Sequence, residues 1–358
     1  MAVNIKHANF KGQNFFVGID THKTNWKVTV RTKECELKTF SMNPDPEKLS
    51  DYMNRNYPGG TYNSVYEAGF SGYWTHRELI SRNFYNVIVN PADVPSTNKE
   101  RDRKSDPIDS RKLSRELANS SLSSIYIPTI QQEALRSVHR SYRRISRHVT
   151  RIKNTIKAFL HFIGVKMPSE FDGTCWSNNF IFFLSTVECP DPIHRTNLTA
   201  LLGEFKVARN NKLNSLRLIR TLSKDLPIVT LLQSVPGIGL LTAFALYVEI
   251  IDIHRFRIFD QLASYVGLVP SVQSSDKTVV ISGMSFRHNK YLRPALIESA
   301  WVAIRNDPAL LHSYKNLLRK MKPSEAIVRI AKKLLNRIRY VWINQKGYVK
   351  GIVEIEKV

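Results

Sequence analysis

Residues 14–20, Asn14-Phe15-Phe16-Val17-Gly18-Ile19-Asp20, are an apolar run that ends on an acid, the pattern of a buried strand that delivers one carboxylate to its tip. Working outward, residues 25–33 (NWKVTVRTK) alternate, with Trp26, Val28 and Val30 on one face, and Leu37 to Phe40 supplies a third short strand. Short turns without Gly or Pro separate the three, which predicts a meander. Pro46 to Asn56 reads as a helix closed by Tyr57-Pro58-Gly59-Gly60. Ser64-Val65-Tyr66 predicts a fourth strand ending at Glu67, Tyr73 to Asn83 a helix, and Val87 to Asn90 a fifth strand. A polar loop, STNKERDRKSD, then leads into a helix from Pro107 to about Leu117. Three antiparallel strands followed by strand–helix alternation is the strand order of the ribonuclease H fold, an α/β arrangement.

Beyond Pro128 the period changes. Leu135, Val138, Tyr142, Ile145, Val149, Ile152, Ile156, Phe159 and Ile163 fall at alternating spacings of three and four, a heptad seam of the coiled-coil kind. Arg136, Arg140, Arg143, Arg144, Arg147, Arg151 and Lys157 occupy the remaining positions, so the expectation is a long helix with an arginine-rich back. A second helical stretch, Asn197 to about Leu226, is its expected partner, in the same chain or across a dimer. From Leu231 the chain reads as mainly helical: a Pro236-Gly237-Ile238-Gly239 turn precedes an apolar helix, Leu240 to Ile250. Such a turn exposes backbone N–H groups, a phosphate cradle in helix–hairpin–helix elements. Strand-like Thr278 to Ile281 and helices at Asn289 to Arg305 and Glu325 to Trp342 follow. The expected domains are 1–125, α/β; 126–228, a helical coiled-coil region; and 229–358, mainly helical.

The 358 residues carry 53 Lys and Arg against 30 Asp and Glu, a net charge of +23 and a pI near 10.0. From Lys99 to Lys157 the count is 15 against 6, and from Arg287 to Lys350 it is 15 against 3. Two clustered basic stretches point to surfaces that track phosphates, so the expected partner is nucleic acid. The longest apolar stretch, Ile238 to Ile251, contains Glu249 and is shorter than the roughly 20 residues of a spanning helix. No signal peptide is legible at the N-terminus. Cys35, Cys175 and Cys189 make neither a disulfide framework nor a zinc spacing. These features predict a soluble intracellular protein.

Four acids stand where chemistry would want them. Asp20 and Glu67 end strands that the inferred fold makes neighbours. Asp106 and Asp109 flank Pro107, which suits a first helical position, so Asp106 reads as an N-cap with Asp109 one turn on. Each alone fits a structural role, as a cap or a strand end. Converging together they would repel unless cations bind between them, and hard oxygen ligands select Mg²⁺ or Mn²⁺.

The segments Phe16-Val17-Gly18-Ile19-Asp20-Thr21-His22-Lys23, Tyr66-Glu67-Ala68-Gly69 and Lys104-Ser105-Asp106-Pro107-Ile108-Asp109-Ser110-Arg111 resemble the N-terminal domain of the DEDD insertion-sequence transposases of the IS110 family. The resemblance continues through Val235-Pro236-Gly237-Ile238-Gly239 and Ala263-Ser264-Tyr265-Val266-Gly267-Leu268-Val269-Pro270 to Asn289-Lys290-Tyr291-Leu292-Arg293. It implies a RuvC-like ribonuclease H-fold domain, a coiled-coil linker and a C-terminal transposase domain with a nucleophilic serine. It further implies a DNA transposase or recombinase, some relatives of which are guided by a bridge RNA that pairs with donor and target DNA. The implied metal ligands are Asp20, Glu67, Asp106 and Asp109, binding Mg²⁺ or Mn²⁺. The implied nucleophile is Ser275, five residues after Pro270, with Ser274 adjacent and Asp276 where the family usually has glycine. The segment Phe286-Arg287-His288-Asn289 also departs from the usual Lys-Arg-Gly-Asn. Arg140, Arg143, Arg144, Arg147, Arg151, Arg287, Lys290 and Arg293 are the expected nucleic-acid contacts. DNA, a structured guide RNA and further copies of the chain, as a dimer or tetramer, are the expected partners, in the cytoplasm of a prokaryote at the nucleoid. The rival readings are a DNA invertase of the same family, a Holliday-junction nuclease needing the acids without the serine, and a non-catalytic nucleic-acid-binding protein.

Overall fold

A computed structural model describes residues 9–95, 106–171, 176–275 and 278–351, the side chains of 106–107 and 272–282 lying outside the described set. The chain divides into two compact units, Met1–Ile127 and Pro128–Val358.

The first unit is built on a five-stranded mixed sheet in the order β3-β2-β1-β4-β5. Its strands are β1 Asn14–Thr21, β2 Trp26–Arg31, β3 Glu36–Met42, β4 Thr61–Glu67 and β5 Phe84–Val89. β1 pairs antiparallel with β2 and parallel with β4, and β4 runs parallel to β5. α1, Pro46–Asn56, starts at an Asp45 cap whose carboxylate accepts from the N–H groups of Glu47 and Lys48; α2 is Trp74–Ser81. Phe15, Val17, Ile19 and Tyr66 pack on one face of the sheet with Leu49 and Met53 of α1 and Leu79 of α2. On the other face Val65 packs with Leu113 of α3, Asp106–Ala118.

Gly18 decides how closely α3 can lie. A Cβ built there would stand 2.1 Å from the Ser110 carbonyl oxygen and 2.5 Å from the Ser114 nitrogen. Both atoms are backbone, so nothing can swing aside. Beside the glycine, the hydroxyls of Thr29 and Ser110 are 2.9 Å apart and buried. The glycine of the opening motif is therefore a packing requirement that lays the N-terminal half of α3 directly on β1.

In the second unit α4 runs Ile130–Phe162, opened by a capping box between Thr129 and Gln132. α5 is Asn178–Thr186 and α6 is Pro192–Lys224. Two cross-contacts show that α4 and α6 are antiparallel: His148 lies 3.4 Å from Glu204, and the Phe159 and His194 rings are 6.0 Å apart. The partner of the seam helix is thus in the same chain. Val149, Ile152, Ile156 and Leu160 pack with Leu198, Leu202, Phe205 and Ala208. The buried stripe follows the expected seam through Val149, Ile152 and Ile156 and leaves it toward the N-terminal end, where Arg136 and His139 are buried. A helix of 3.6 residues per turn drifts off a strict heptad, and here a further neighbour joins: Leu135 and Val138 pack into the core that contains Ile219 of α6 and also Phe244 and Leu246. The expectation that every arginine of α4 faces away from packing is corrected accordingly.

The rest comprises α7 Pro227–Leu232, α8 Leu240–Ile250, α9 Phe259–Val266, the hairpin β6 Pro270–Ser275 and β7 Thr278–Met284, then α10 Leu292–Asn306, α11 Pro308–Leu318 and α12 Pro323–Asn344. Phe244 and Leu246 of α8, Leu262 of α9, Leu296 and Ala300 of α10, and Ile330, Leu334 and Ile338 of α12 share one apolar core. Gly237, in the Pro-Gly-Ile-Gly turn, has φ +81°, and a Cβ on it would meet the Ser299 carbonyl oxygen at 2.3 Å. Packing against α10 therefore accounts for that glycine. Among the described residues no helix is long and apolar enough to cross a membrane.

Replacing Gly18 by valine forces α3 off the sheet. The expected result is a loss of about 1–3 kcal/mol in urea-unfolding free energy. An unfolding midpoint equal to that of the wild type would contradict the close approach.

Candidate functional site

The parallel register sets the first part of the site. Ile19 lies opposite Tyr66, so Asp20 and Glu67 leave the C-terminal ends of adjacent strands side by side. Side chains alternate along a strand, and Ile19 and Tyr66 are wholly buried in the α1–α2 core. Asp20 and Glu67 therefore share the α3 face with Gly18 and Val65. Ser110, against Gly18, is preceded by Asp109, which brings that acid to the same face. His22 Nε2 lies 3.2 Å from Asp20 Oδ2, a neighbour that the strand pattern did not single out. The helix opens at Asp106 itself, one residue earlier than an N-cap there requires; the Asp106 side chain lies outside the described residues. Among the described residues no three His, Cys, Asp or Glu groups stand in metal-holding geometry. The acids on this face offer carboxylate oxygens, the donor type that suits a hard divalent cation.

Ser275 is the last residue of β6 and pairs with Thr278 across the hairpin turn, so its backbone sits at the hairpin tip; Ser274 precedes it in the strand. Their side chains lie outside the described residues, as do residues 276–277.

What the sequence did not reveal is the polar cluster around Glu249, near the end of the apolar helix α8. Its side chain is wholly buried. Arg140 donates from Nε to Oε1 and from Nη2 to Oε2, each at 2.9 Å. Asn289 Nδ2 donates to Oε2 at 3.1 Å and to Tyr265 Oη at 3.3 Å, and Tyr265 Oη donates to the Glu249 carbonyl at 2.8 Å. Arg136 Nε donates to the Val248 carbonyl at 3.0 Å, and His139 Nδ1 approaches Glu249 Oε1 to 3.8 Å, longer than a hydrogen bond. Burial alone would raise the Glu249 pKa, but His139, Arg140 and Asn289 outweigh it and hold the carboxyl at about 2 against an ordinary 4.5. The one legible signal was a single acid in an otherwise apolar run.

The basic residues sort differently from their sequence pattern. Arg140 is engaged by Glu249 and stacks over Tyr291, its guanidinium carbon 5.2 Å from the ring centroid. Arg293 turns inward and donates to the Ser285 carbonyl, closing the hairpin base, and burial lowers its pKa. Arg143 has its Nε buried. The N-terminal end of α4 and the start of α10 are packed, so Arg293 and the Nε of Arg143 sit within the protein, while Arg140 is held by Glu249 with 46% of its side chain exposed at the edge of an open groove. Arg144, Arg147 and Arg151 are exposed, as are Arg287 and Lys290. Arg144 and Arg147 line an open groove of about 700 Å³ with Ser137, Ser141 and Ser215.

Comparison with known proteins finds similarity to transposases. Residues 17–165 match a DEDD-type IS110 transposase family, and residues 229–315 match the family described as Transposase IS116/IS110/IS902. A putative transposase, y4rJ, of Sinorhizobium fredii is 28% identical over 320 residues, covering 81% of this chain and 78% of that protein. The transposase for insertion sequence element IS1111A of Coxiella burnetii is 26% identical over 246 residues, 68% of this chain and 66% of its own. A probable family 20 transposase of Pseudomonas aeruginosa is 27% identical over 247 residues, covering 66% and 70%.

Glu249→Gln tests the buried cluster. The folded pKa lies below the unfolded one, so the stabilisation is complete above about pH 4.5 and is lost as pH falls toward 2. At pH 7 the variant is expected to be less stable by about 3 kcal/mol, and the gap should close on acidification toward pH 2. Urea titrations across that range measure it; a gap independent of pH would remove the carboxylate from the account.

Proposed function

Because the chain belongs to the IS110 family of insertion-sequence transposases, we propose that it cuts and rejoins DNA with a divalent-metal carboxylate site and a serine nucleophile, guided by a structured RNA. The observation that carries this reading is the placement of Asp20 and Glu67 in register at adjacent strand ends, with α3 bringing Asp109 to the same face. On this reading the strand order β3-β2-β1-β4-β5 is a RuvC-like ribonuclease H fold. Residues 126–228 are a linker, and residues 229–358 carry the serine.

Asp20, Glu67, Asp106 and Asp109 would hold the metal, which when bound polarises a scissile phosphodiester and offsets the charge that develops on it. The serine does the bond-making. Ser275 Oγ attacks phosphorus, the Oγ–P bond forms, the P–O bond to one sugar breaks, and the hydroxyl proton passes to the departing sugar oxygen. The phosphoserine link retains the energy of the original phosphodiester. A sugar hydroxyl of a second strand then reverses the chemistry and regenerates the serine. The β6–β7 hairpin suits this role, since its tip is presented on a two-stranded arm whose base is closed by Arg293 on Ser285. Arg144, Arg147, Arg151, Arg287 and Lys290 supply phosphate contacts, which position nucleic acid without reading its sequence.

Ser275→Ala is expected to abolish a covalent protein–DNA adduct while DNA binding persists. Asp20→Asn and Glu67→Gln should each lower strand cleavage by about a hundredfold or more. Denaturing gels of reactions with element-end DNA, run beside sequencing of the RNA that copurifies, read all three. An undiminished adduct in Ser275→Ala overturns the nucleophile. Metal-dependent cleavage with free ends and no adduct would favour the hydrolytic nuclease.

A further inference from the structure

Between α4, α6, α8 and α10 lies a cavity of about 230 Å³, several times the roughly 30 Å³ that one water occupies in the liquid. It is lined by His139, Arg143 and Ser146 of α4, Lys212 of α6, Thr242 of α8 and the ring of Tyr291. No acid is among its lining residues. Arg143 Nε and Ser146 Oγ are buried and have no hydrogen-bond partner among the described residues. The buried carboxylate of Glu249 receives its bonds from Arg140 and Asn289 and makes none to Arg143.

Buried donors without acceptors are costly and rare. Here a guanidinium, an ammonium and two hydroxyls line one recess, a donor set for a compact anion with several acceptor oxygens. We propose that this cavity binds a phosphate group, and that the group belongs to the backbone of bound nucleic acid. The source rests on the recombinase reading above and on continuity: Tyr291 walls this cavity and also the open groove of Arg140, Arg144 and Arg147. A strand lying in that groove passes the cavity mouth and can lodge one phosphate inside. Arg143 thus acts in a pocket, not on an open stripe.

The test uses the full chain and a fluorescein-labelled mixed-sequence DNA duplex, with anisotropy read over a salt series. Arg143→Gln should weaken binding about tenfold and make the slope of log affinity against log salt shallower by about one. Ser146→Ala, which removes a hydroxyl and no charge, should weaken binding about threefold. Arg220→Gln, with the same charge change on an exposed part of α6, should change it less than twofold. Circular dichroism and melting temperature should show Arg143→Gln folded and no less stable, because the side chain has no partner to lose. Equal losses in Arg143→Gln and Arg220→Gln, or an unchanged salt slope, would overturn the pocket. If inorganic phosphate raises the melting temperature of the wild type but not of Arg143→Gln, while duplex binding is the same in both, the site takes free phosphate and the nucleic-acid assignment is overturned. A wild type that binds no duplex overturns the recombinase reading itself, and this assignment with it.

Discussion

A carboxylate with no solvent exposure, set in a helix of otherwise apolar residues, is tolerable only where every lone pair is answered. Glu249 is answered at its carboxylate by Arg140 and Asn289 and at its backbone carbonyl by Tyr265, groups from three other places in the chain. Arg140 comes from α4, Tyr265 from α9 and Asn289 from the segment before α10. The two-pronged arginine bond is directional, so it sets the rotation and height of α4 against α8. Asn289 carries the constraint onward: its Oδ1 accepts from the N–H groups of Tyr291 and Leu292 at 2.9 and 3.1 Å, and its own N–H donates to the Tyr265 carbonyl. The start of α10 is thus tied to the acid, and β7 ends just ahead of it at Met284. The arm that presents Ser275 takes its base from this cluster. An apolar core of the same volume could equal it in stability but could not dictate where the hairpin begins.

The same cluster decides which positive charges are available. Residues 128–358 hold 35 Lys and Arg against 16 Asp and Glu, yet a share of those cations is built into the structure. Arg337 offers another case: it donates to buried Asp307 at 2.9 Å, and Asp307 also accepts from Tyr348. That pair fastens the segment around Tyr348 beside Ser234, whose hydroxyl accepts from the Tyr348 N–H at 2.8 Å. Charge counted along the sequence therefore overstates the charge that meets a ligand. Arg144, Arg147 and Arg151, exposed on α4, lie C-terminal to Arg136 and Arg140, the first two along one groove.

The strand order of the first unit was legible because its signals are local: an apolar run, an alternating run, and acids at strand ends. β1 and β4 were read to within a few residues, and α1 in full. The second unit was read less completely. α5, α7, α9, β6 and α11 are short, and short apolar stretches carry no period by which to tell helix from strand. The seam of α4 was visible, but its departure from the heptad was not, since that departure depends on α8 joining α6 as a neighbour. Glu249 was noticed only as an interruption. Its partners lie about 110 residues away at Arg140 and 40 at Asn289, and no window along the sequence joins them.

The two kinds of acid in this chain differ in a way that bears on function. Glu249 is buried and answered by donors from its own core, which makes it architecture. Asp20 and Glu67 are like charges on neighbouring strands, which lie about 4.8 Å apart, and such pairs repel. A register slip would separate them, but it would also turn Ile19 or Tyr66 out of the core, since a shift of one residue exchanges the faces of a strand. Gly18 adds a second lock by fixing α3, and Asp109 with it, over the same face. The apolar pattern of the opening strand thus fixes where both acids stand. On the reading proposed above, a divalent cation is what relieves that repulsion, and local rules of packing tend to be broken where function requires it.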